Sequence, residues 1–348
     1  MSKIAILGDT HFGAGNANLL THQYMKKFFV DFFDYIDTNN IKTIIQLGDL
    51  FDVRKHINTW SLNFFREVFL KPVIERDLKV YVLLGNHDIF YRESLQISSV
   101  EEVLTPYSEW FTLIKDPADY FIEDQSFLIV PWVCKENIAA VDAAIASSKS
   151  DYCAGHFEFN GFELYRGQPA KTHYSHEGYS KFKRVFSGHF HHMSSRDNVL
   201  YTGTPYELTW QDAHTTKGFF VLDGESLELV ETKHTLFSFI TLSDHKDCKV
   251  PESLVRDKHV KLKIDVALEP KQKDALSDML YSMKPHSLKF IEKKIDASDT
   301  EDVHYEQTTS ISDLIKDYVT NISVDASIDK DVLIDKLIGV YIEATHAH

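Results

Sequence analysis

Apolar residues in the first two thirds of the chain come in short, β-branched runs, each closed by a polar cluster rich in Gly, Asp, Asn and His. The segments KIAILGDTH (3–11), KTIIQLGD (42–49), KVYVLLGNHD (79–88), DYCAGH (151–156) and RVFSGH (184–189) share this form. Continuous apolar runs of this length, bounded by turn residues, read as buried strands. Between the first three lie helical spacings: Tyr24, Phe28, Phe32 and Ile36, then Leu62, Phe65, Val68 and Phe69. Alternating strand and helix predicts βαβ units and a largely parallel sheet, with the polar clusters gathered at one sheet edge outside the strands' carboxyl ends. Three later runs, NVLYTGTP (198–205), KGFFVLD (217–223) and SLELVET (226–232), are joined by short turns without helices. They predict a second, more antiparallel sheet packed on the first layer.

The pattern changes near residue 240. HVKLKIDV (259–266) alternates, placing Val260, Leu262, Ile264 and Val266 on one face. A helix bearing Leu276, Met279, Leu280 and Met283 follows, then LKFIEKKI (288–295), completing a small α+β unit. Beyond an acidic stretch near Asp296 to Glu306, two amphipathic helices are expected, one with Ile311, Leu314, Ile315 and Tyr318, the other with Leu333, Leu337, Val340 and Tyr341. The expected organisation is therefore a catalytic domain over 1–238, a small α+β domain over 239–300, and an acidic linker with C-terminal helices over 301–348.

Composition narrows the class. No apolar run approaches the roughly 18 residues of a bilayer span, which indicates a globular, non-membrane protein. The opening MSKIAILGDTH is a strand pattern and not a secretory leader, so a cytoplasmic location is expected, the host cytoplasm if the source is viral. Cys134, Cys153 and Cys248 are far apart with no Cys-x-x-Cys, which fits reduced thiols and argues against cysteine-ligated zinc. A net charge of −15 is awkward for nucleic-acid binding, which rests on Lys and Arg neutralising phosphates. Part of that excess is local, because residues 296–331 hold ten Asp or Glu against two Lys.

Each polar cluster alone is weak. Asp9 and His11 suit a strand-end turn, Gly48-Asp49 is a common turn dipeptide, and His156 could be a satisfied core histidine. His189 and His191, two apart around one loop residue, are harder to assign to a turn. The joint pattern is more telling: a carboxylate with a His, a second carboxylate, an Asn-His pair, a His and a His-x-His all follow predicted strands. Asp, His and an Asn carbonyl suit borderline-hard divalent ions, and seven such ligands are enough for two ions sharing a bridging carboxylate.

GDTH (8–11), GDLFD (48–52), GNHD (85–88), GH (155–156) and GHFH (188–191) resemble, in order and spacing, the five motifs of calcineurin-like metallophosphoesterases. GDLFDVRK, VPWVCKEN, GHFEFNGFELYRG and YTGTPYELT further resemble the SbcD-type nuclease subunit of double-strand-break repair, most closely its phage recombination counterpart. The likeness extends over roughly residues 1–235 and more weakly through the C-terminal helices. It implies an α/β fold: a two-sheet metallophosphoesterase sandwich flanked by helices, with an α+β capping domain. It also implies two divalent ions, Mn²⁺ or alternatively Mg²⁺. Asp9, His11 and His191 would hold one and Asn86, His156 and His189 the other, with Asp49 bridging. His87 would act on the leaving oxygen without ligating, a role suited to an imidazole. Asp52 and Asp88 would be supporting residues, Asp52 either steadying a ligating histidine or serving as a turn carboxylate. His192 matches no ligand position.

Protein phosphatases of the superfamily carry Arg and Glu where this chain has Val53 and Asp88, which favours a nucleic-acid diester over a phosphomonoester. Two divalent ions held by two carboxylates leave a net positive cluster able to bind a phosphodiester in an acidic protein. The resemblance implies DNA as substrate, an SbcC-type SMC-like ATPase docking on the C-terminal helices, and a homodimer within a heterotetramer. Alternatives are a small-molecule phosphodiesterase or phosphatase, or a scaffold subunit with a vestigial site.

Overall fold

The computed structural model describes residues 2–165, 168–172, 174–243, 250–266, 268–292, 319, 330, 332–334 and 336–337. Residues Met1–Lys293 form one compact unit and Lys294–His348 a second.

Strand and helix alternate at the start, as the pattern predicts: β1 (Lys3–Leu7), α1 (Leu19–Thr38), β2 (Thr43–Gln46), then α2 (Thr59–Phe65), a π-helical turn over Arg66–Leu70, α3 (Lys71–Glu75) and β3 (Lys79–Leu83). A hairpin of β4 (Ile89–Tyr91) and β5 (Ser94–Ser98), then α4 (Ser99–Leu104), leads into β6 (Phe111–Ile114). There follow β7 (Ala118–Ile122), β8 (Gln125–Val130), α5 (Ile138–Ser147), β9 (Tyr152–Gly155), a short hairpin of β10 (Glu163–Tyr165) and β11 (Gln168–Pro169), β12 (Arg184–Ser187), β13 (Ser194–Arg196) and β14 (Val199–Tyr201). The chain continues through β15 (Gly218–Asp223) and β16 (Ser226–Glu231). A third, smaller sheet consists of β17 (Phe237–Leu242), β18 (His259–Ile264) and β19 (Ser287–Glu292), with α6 (Pro270–Ser282) between the last two.

The first sheet runs β16-β15-β1-β2-β3-β6, parallel from β1 to β6 with β15 antiparallel to β1. The second runs β13-β14-β12-β9-β8-β7, parallel through its four central strands. Two sequence expectations change here. The strands that carry His156 and His189 do not extend the first sheet but form the middle of the second. Conversely, 217–223 and 226–232 return to the first sheet, beside β1, while only 198–205 contributes to the second. Apolar runs specify burial, whereas a strand's neighbour is set by long-range pairing that no local pattern carries.

Period-two alternation explains the layering. Ile4 and Ile6 of β1 meet Phe127, Ile129, Ala154 and Phe186 between the sheets. Ala5 and Leu7 point the other way, into a core with Phe28, Phe29, Phe32, Phe65 and Phe69 from the helices. Leu128, Val130, Cys153 and Val185 bury the second sheet's outer face against Val141 of α5. Helix, sheet, sheet and helix layers thus form the metallophosphoesterase-type sandwich. Val260, Leu262 and Ile264 lie with Leu276 and Leu280 in a cluster of their own. The expected boundary at 238/239 falls inside β17, which the alternation beginning at 259 did not reveal.

Cys134 and Cys153 are buried free thiols, and Cys248 lies outside the described residues. The acidic stretch from Asp296 to Glu306, the expected helix bearing Ile311, Leu314, Ile315 and Tyr318, and Val340 and Tyr341 of the second also lie outside them, while residues 319, 330, 332–334 and 336–337 are helical. Among the described residues no helix is long and apolar enough to cross a membrane.

Candidate metal centre

Both sheets direct the carboxyl ends of their central parallel strands to one place. Asp9 follows β1, Asp49 follows β2, Asn86 follows β3, His156 follows β9, and His189 with His191 follows β12. Close approach explains the glycine that opens the third and fifth clusters. A Cβ at Gly85 would overlap the Asp49 carboxylate, and one at Gly188 would overlap an Asp9 carboxylate oxygen and the Leu47 carbonyl. His11, Asp49 and His189 all hold positive φ, at 44°, 51° and 82°, a conformation that costs energy for residues other than glycine and gathers at functional sites.

Asp9, His11, Asp49 and His156 form a buried floor, while Asn86, His87, His189 and His191 are half-buried at the opening. Ligand-capable atoms group as Asp9, His11 and His191 on one side and Asp49, His156 and His189 on the other. The Asp49 carboxylate, part of the second group, also faces the first. Its Oδ2 is 3.4 Å from His156 Nε2 and 3.8 Å from His11 Nε2, while Oδ1 accepts the His87 backbone N–H at 2.7 Å. Asn86 Oδ1 is 3.0 Å from His156 Nε2 and 2.8 Å from His189 Nδ1. His11 Nε2 and His191 Nε2 stand 3.0 Å apart.

Outer contacts set which nitrogen faces inward. The Leu47 carbonyl, 2.7 Å from His156 Nδ1, takes that N–H and leaves Nε2 with its lone pair in the site. Asp52 Oδ1 lies 3.2 Å from His11 Nδ1 and does the same for His11, although the contact is not aligned as a full hydrogen bond. Several lone pairs therefore converge within hydrogen-bond distance with too few protons between them, an arrangement that a cation resolves. The donor set thus fits two divalent ions: one among Asp9, His11 and His191, one among Asn86, His156 and His189, with Asp49 reachable from both.

Electrostatics agree. Burial, partly offset by His156, pushes the Asp9 carboxyl up to about 7. Burial opposes charge on His11 and His156, yet adjacent carboxylates raise both to about 9, so protons gather where cations would otherwise lie. Asp49, despite burial, is held well below the carboxylate range, chiefly by His156. Burial lowers His189 and His191 to about 3, assisted respectively by His156 and His11.

His87 is placed differently. Its Nδ1 lies 2.6 Å from the Asp52 carbonyl, and its ring stands edge-on to His11 with centroids 5.0 Å apart. With Nδ1–H committed to that carbonyl, Nε2 is left to face a ligand. His87 also groups with His11 and Asp52 as a third set of ligand-capable atoms. Asp88 is fully buried and braces the frame: Oδ2 accepts Gly85 N–H at 2.9 Å and Oδ1 accepts Phe51 N–H at 3.3 Å. His192 is buried.

Other supporting residues were not legible as such. The Trp132 ring lies 5.1 Å from that of His189 and 5.9 Å from that of His156, closing one side of the centre. Buried Lys217 donates to the His191 carbonyl at 2.7 Å, Thr204 Oγ1 at 2.8 Å and Asp212 Oδ1 at 2.6 Å, fixing the loop that presents His191. Burial lowers the Lys217 pKa, while Lys217 holds the buried Asp212 carboxyl below its ordinary range. Arg54 Nε donates to the Asn86 carbonyl at 2.7 Å. Apart from Lys217–Asp212, these contacts join residues well separated in the chain; only the segments VPWVCKEN, GDLFDVRK and YTGTPYELT, which hold Trp132, Arg54 and Thr204, carried a hint, through resemblance.

If Asp52 acts through His11, Asp52→Ala should weaken metal binding about 10- to 100-fold, the usual loss on removing an outer partner of a ligating histidine. Asp52→Asn, which keeps an acceptor oxygen, should lose less. Titration calorimetry with Mn²⁺ measures both, and equal affinity in all three proteins would leave Asp52 as a turn carboxylate.

Residues 2–193 match the family model described as calcineurin-like phosphoesterase. The chain is also 29% identical over 351 aligned residues to exonuclease subunit 1 of Enterobacteria phage T4, with 99% of each chain covered.

Proposed function

Because the chain belongs to the calcineurin-like phosphoesterase family, we propose that it is the nuclease subunit of a DNA-end-processing complex, hydrolysing phosphodiester bonds exonucleolytically and, at suitable structures, endonucleolytically. The observation that carries this reading is the Asp49 carboxylate facing both groups of ligand-capable atoms, 3.4 Å from His156 Nε2 and 3.8 Å from His11 Nε2. Similarity along nearly the whole chain to a phage exonuclease subunit supports the choice of DNA.

In this reading Asp9, His11 and His191 hold one divalent ion, Asn86, His156 and His189 the other, and Asp49 both. Mn²⁺ is the expected metal, with Mg²⁺ the alternative. Bound there, the ions supply Lewis acidity toward the phosphoryl oxygens and a nucleophile drawn from water near neutral pH. The chain's residues do the rest. The buried floor fixes ligand spacing, Leu47 and Asp52 orient His156 and His11, and Trp132 screens one side from solvent. His87, its Nδ1–H donated to the Asp52 carbonyl, would carry a second proton on Nε2 in its imidazolium form and give that proton to the departing sugar oxygen.

The test is cleavage of end-labelled linear duplex DNA by the purified chain with Mn²⁺, Mg²⁺ or EDTA. Metal-dependent release of nucleotides is expected. Turnover of bis-p-nitrophenyl phosphate with no cutting of DNA would favour a small-molecule phosphodiesterase instead.

The partner in this reading is an SbcC-type SMC-like ATPase that binds the C-terminal helices, within a heterotetramer built on a nuclease homodimer. Exposed Val332 and Leu337 lie in helical segments of that region. Deleting residues 305–348 should abolish co-purification with the ATPase while leaving turnover of the small diester unchanged. Persistent association would remove these helices from the interface.

A further inference from the structure

A chain of net charge −15 still needs a surface that tolerates a polyanion. A groove of about 800 Å³ lies between α1 and the small third-sheet region, lined by Lys26, Lys27, Lys233, Arg256 and Lys258 against only Asp31 and Asp257. These cations come from separate segments: one face of α1, the turn between β16 and β17, and the loop before β18.

Little within the fold neutralises them. Arg256 is paired with Glu252, and Asp31 is engaged by His234 at 3.1 Å. Lys26, Lys27, Lys233 and Lys258 form no ion pair among the described residues. Burial lowers the Lys258 pKa against the attraction of Glu207, and burial lowers that of His286, which also lines the groove, against the attraction of Asp257 and with a smaller downward push from Lys27. Four lysines without an ion-pair partner among the described residues thus face one groove, an arrangement that suits an anionic ligand.

The lining also indicates which anion. Of its rings, Tyr24 is buried with its hydroxyl oxygen accepting the Glu207 backbone N–H, His234 is engaged by Asp31, and His286 stands against His259, so the lining offers no large free ring as a platform for a base. Flexible cations without a stacking platform suit a repeating phosphate backbone and give no base readout. We propose that this groove binds the phosphodiester backbone of DNA, as a second contact apart from the metal centre that supplies affinity for a long substrate. The proposal rests on the nuclease reading above.

The test compares the full-length chain with a variant carrying Lys26→Ala, Lys27→Ala, Lys233→Ala and Lys258→Ala, and with a second variant carrying Arg at the same positions. Affinity for a labelled phosphorothioate duplex that resists hydrolysis is measured in Mn²⁺ over a series of salt concentrations. Turnover of bis-p-nitrophenyl phosphate reports on the metal centre. The alanine variant should bind at least about tenfold more weakly, with the slope of log affinity against log salt reduced by about 1 for each lysine that contacts a phosphate. The arginine variant should bind like the parent, and small-diester turnover should be unchanged in both. If the fourfold variant does not fold, Lys26→Ala with Lys27→Ala, both exposed on α1, should give about half the change in slope.

Unchanged affinity and slope in a variant whose parent cuts DNA would overturn the groove alone, leaving it to an acidic protein partner. A parent that turns over the small diester but does not bind the duplex would overturn the groove and the nuclease reading together.

Discussion

His87→Ala should retain two bound metal equivalents yet cut duplex DNA about 10²- to 10⁴-fold more slowly, the range for loss of a positioned general acid. The expectation follows from which part of His87 touches the centre. Its backbone N–H, which the substitution preserves, donates to Asp49 Oδ1 at 2.7 Å, whereas its ring hydrogen-bonds outward to the Asp52 carbonyl. Bis-p-nitrophenyl phosphate should be affected much less, because its leaving group departs readily without a proton. Metal content after dialysis and initial rates on both substrates check this. Loss of a metal equivalent would instead make His87 a ligand, in the grouping with His11 and Asp52; normal DNA cleavage would remove it from the chemistry.

Asp49→Asn should have the larger effect on metal binding. One carboxylate faces both groups of ligand-capable atoms, so its loss removes charge shared by two ions, and activity should fall by at least about 10³-fold, beyond the loss of one electrostatic contact. Asparagine is the more informative replacement because Asp49 holds φ at 51°, which Asn tolerates better than Ala, so loss of charge is separated from backbone strain. Mn²⁺ binding by calorimetry and cleavage with added Mn²⁺ measure the two consequences. Retention of both ions at parental affinity would mean that Asp49 is not the bridge.

Much of the candidate centre is visible along the chain because its chemistry sits where strands end. A buried parallel strand must stop, turn and re-enter, and Gly-Asp, Gly-Asn-His and Gly-His combine the small residue that close approach requires with side chains able to ligate. Asp9, His11, Asp49, Asn86, His156, His189 and His191 are legible for that reason, and the structure brings all seven together. Resemblance supplied what spacing could not: the division of ligands between two ions and the separate role of His87.

Pairing and convergence belong to the tertiary structure. Nothing local in RVFSGH distinguishes a strand of the first sheet from one of the second, and KGFFVLD looks the same whether it pairs with β1 or β14. Trp132 against His189, Lys217 behind His191 and Asp52 beside His11 each join residues brought together only by folding. The basic groove is the clearest case, since its cations come from separate segments of a chain whose net charge is −15. The strands that bear the candidate ligands, their burial and the residue types at their ends are legible along the chain because burial pattern and turn chemistry are local, whereas β6, β7, β8, β13, β17 and the hairpins β4–β5 and β10–β11 are not. Which strands become neighbours, which side chains support the centre and where positive charge accumulates emerge on folding, because those depend on contacts between residues distant in the chain.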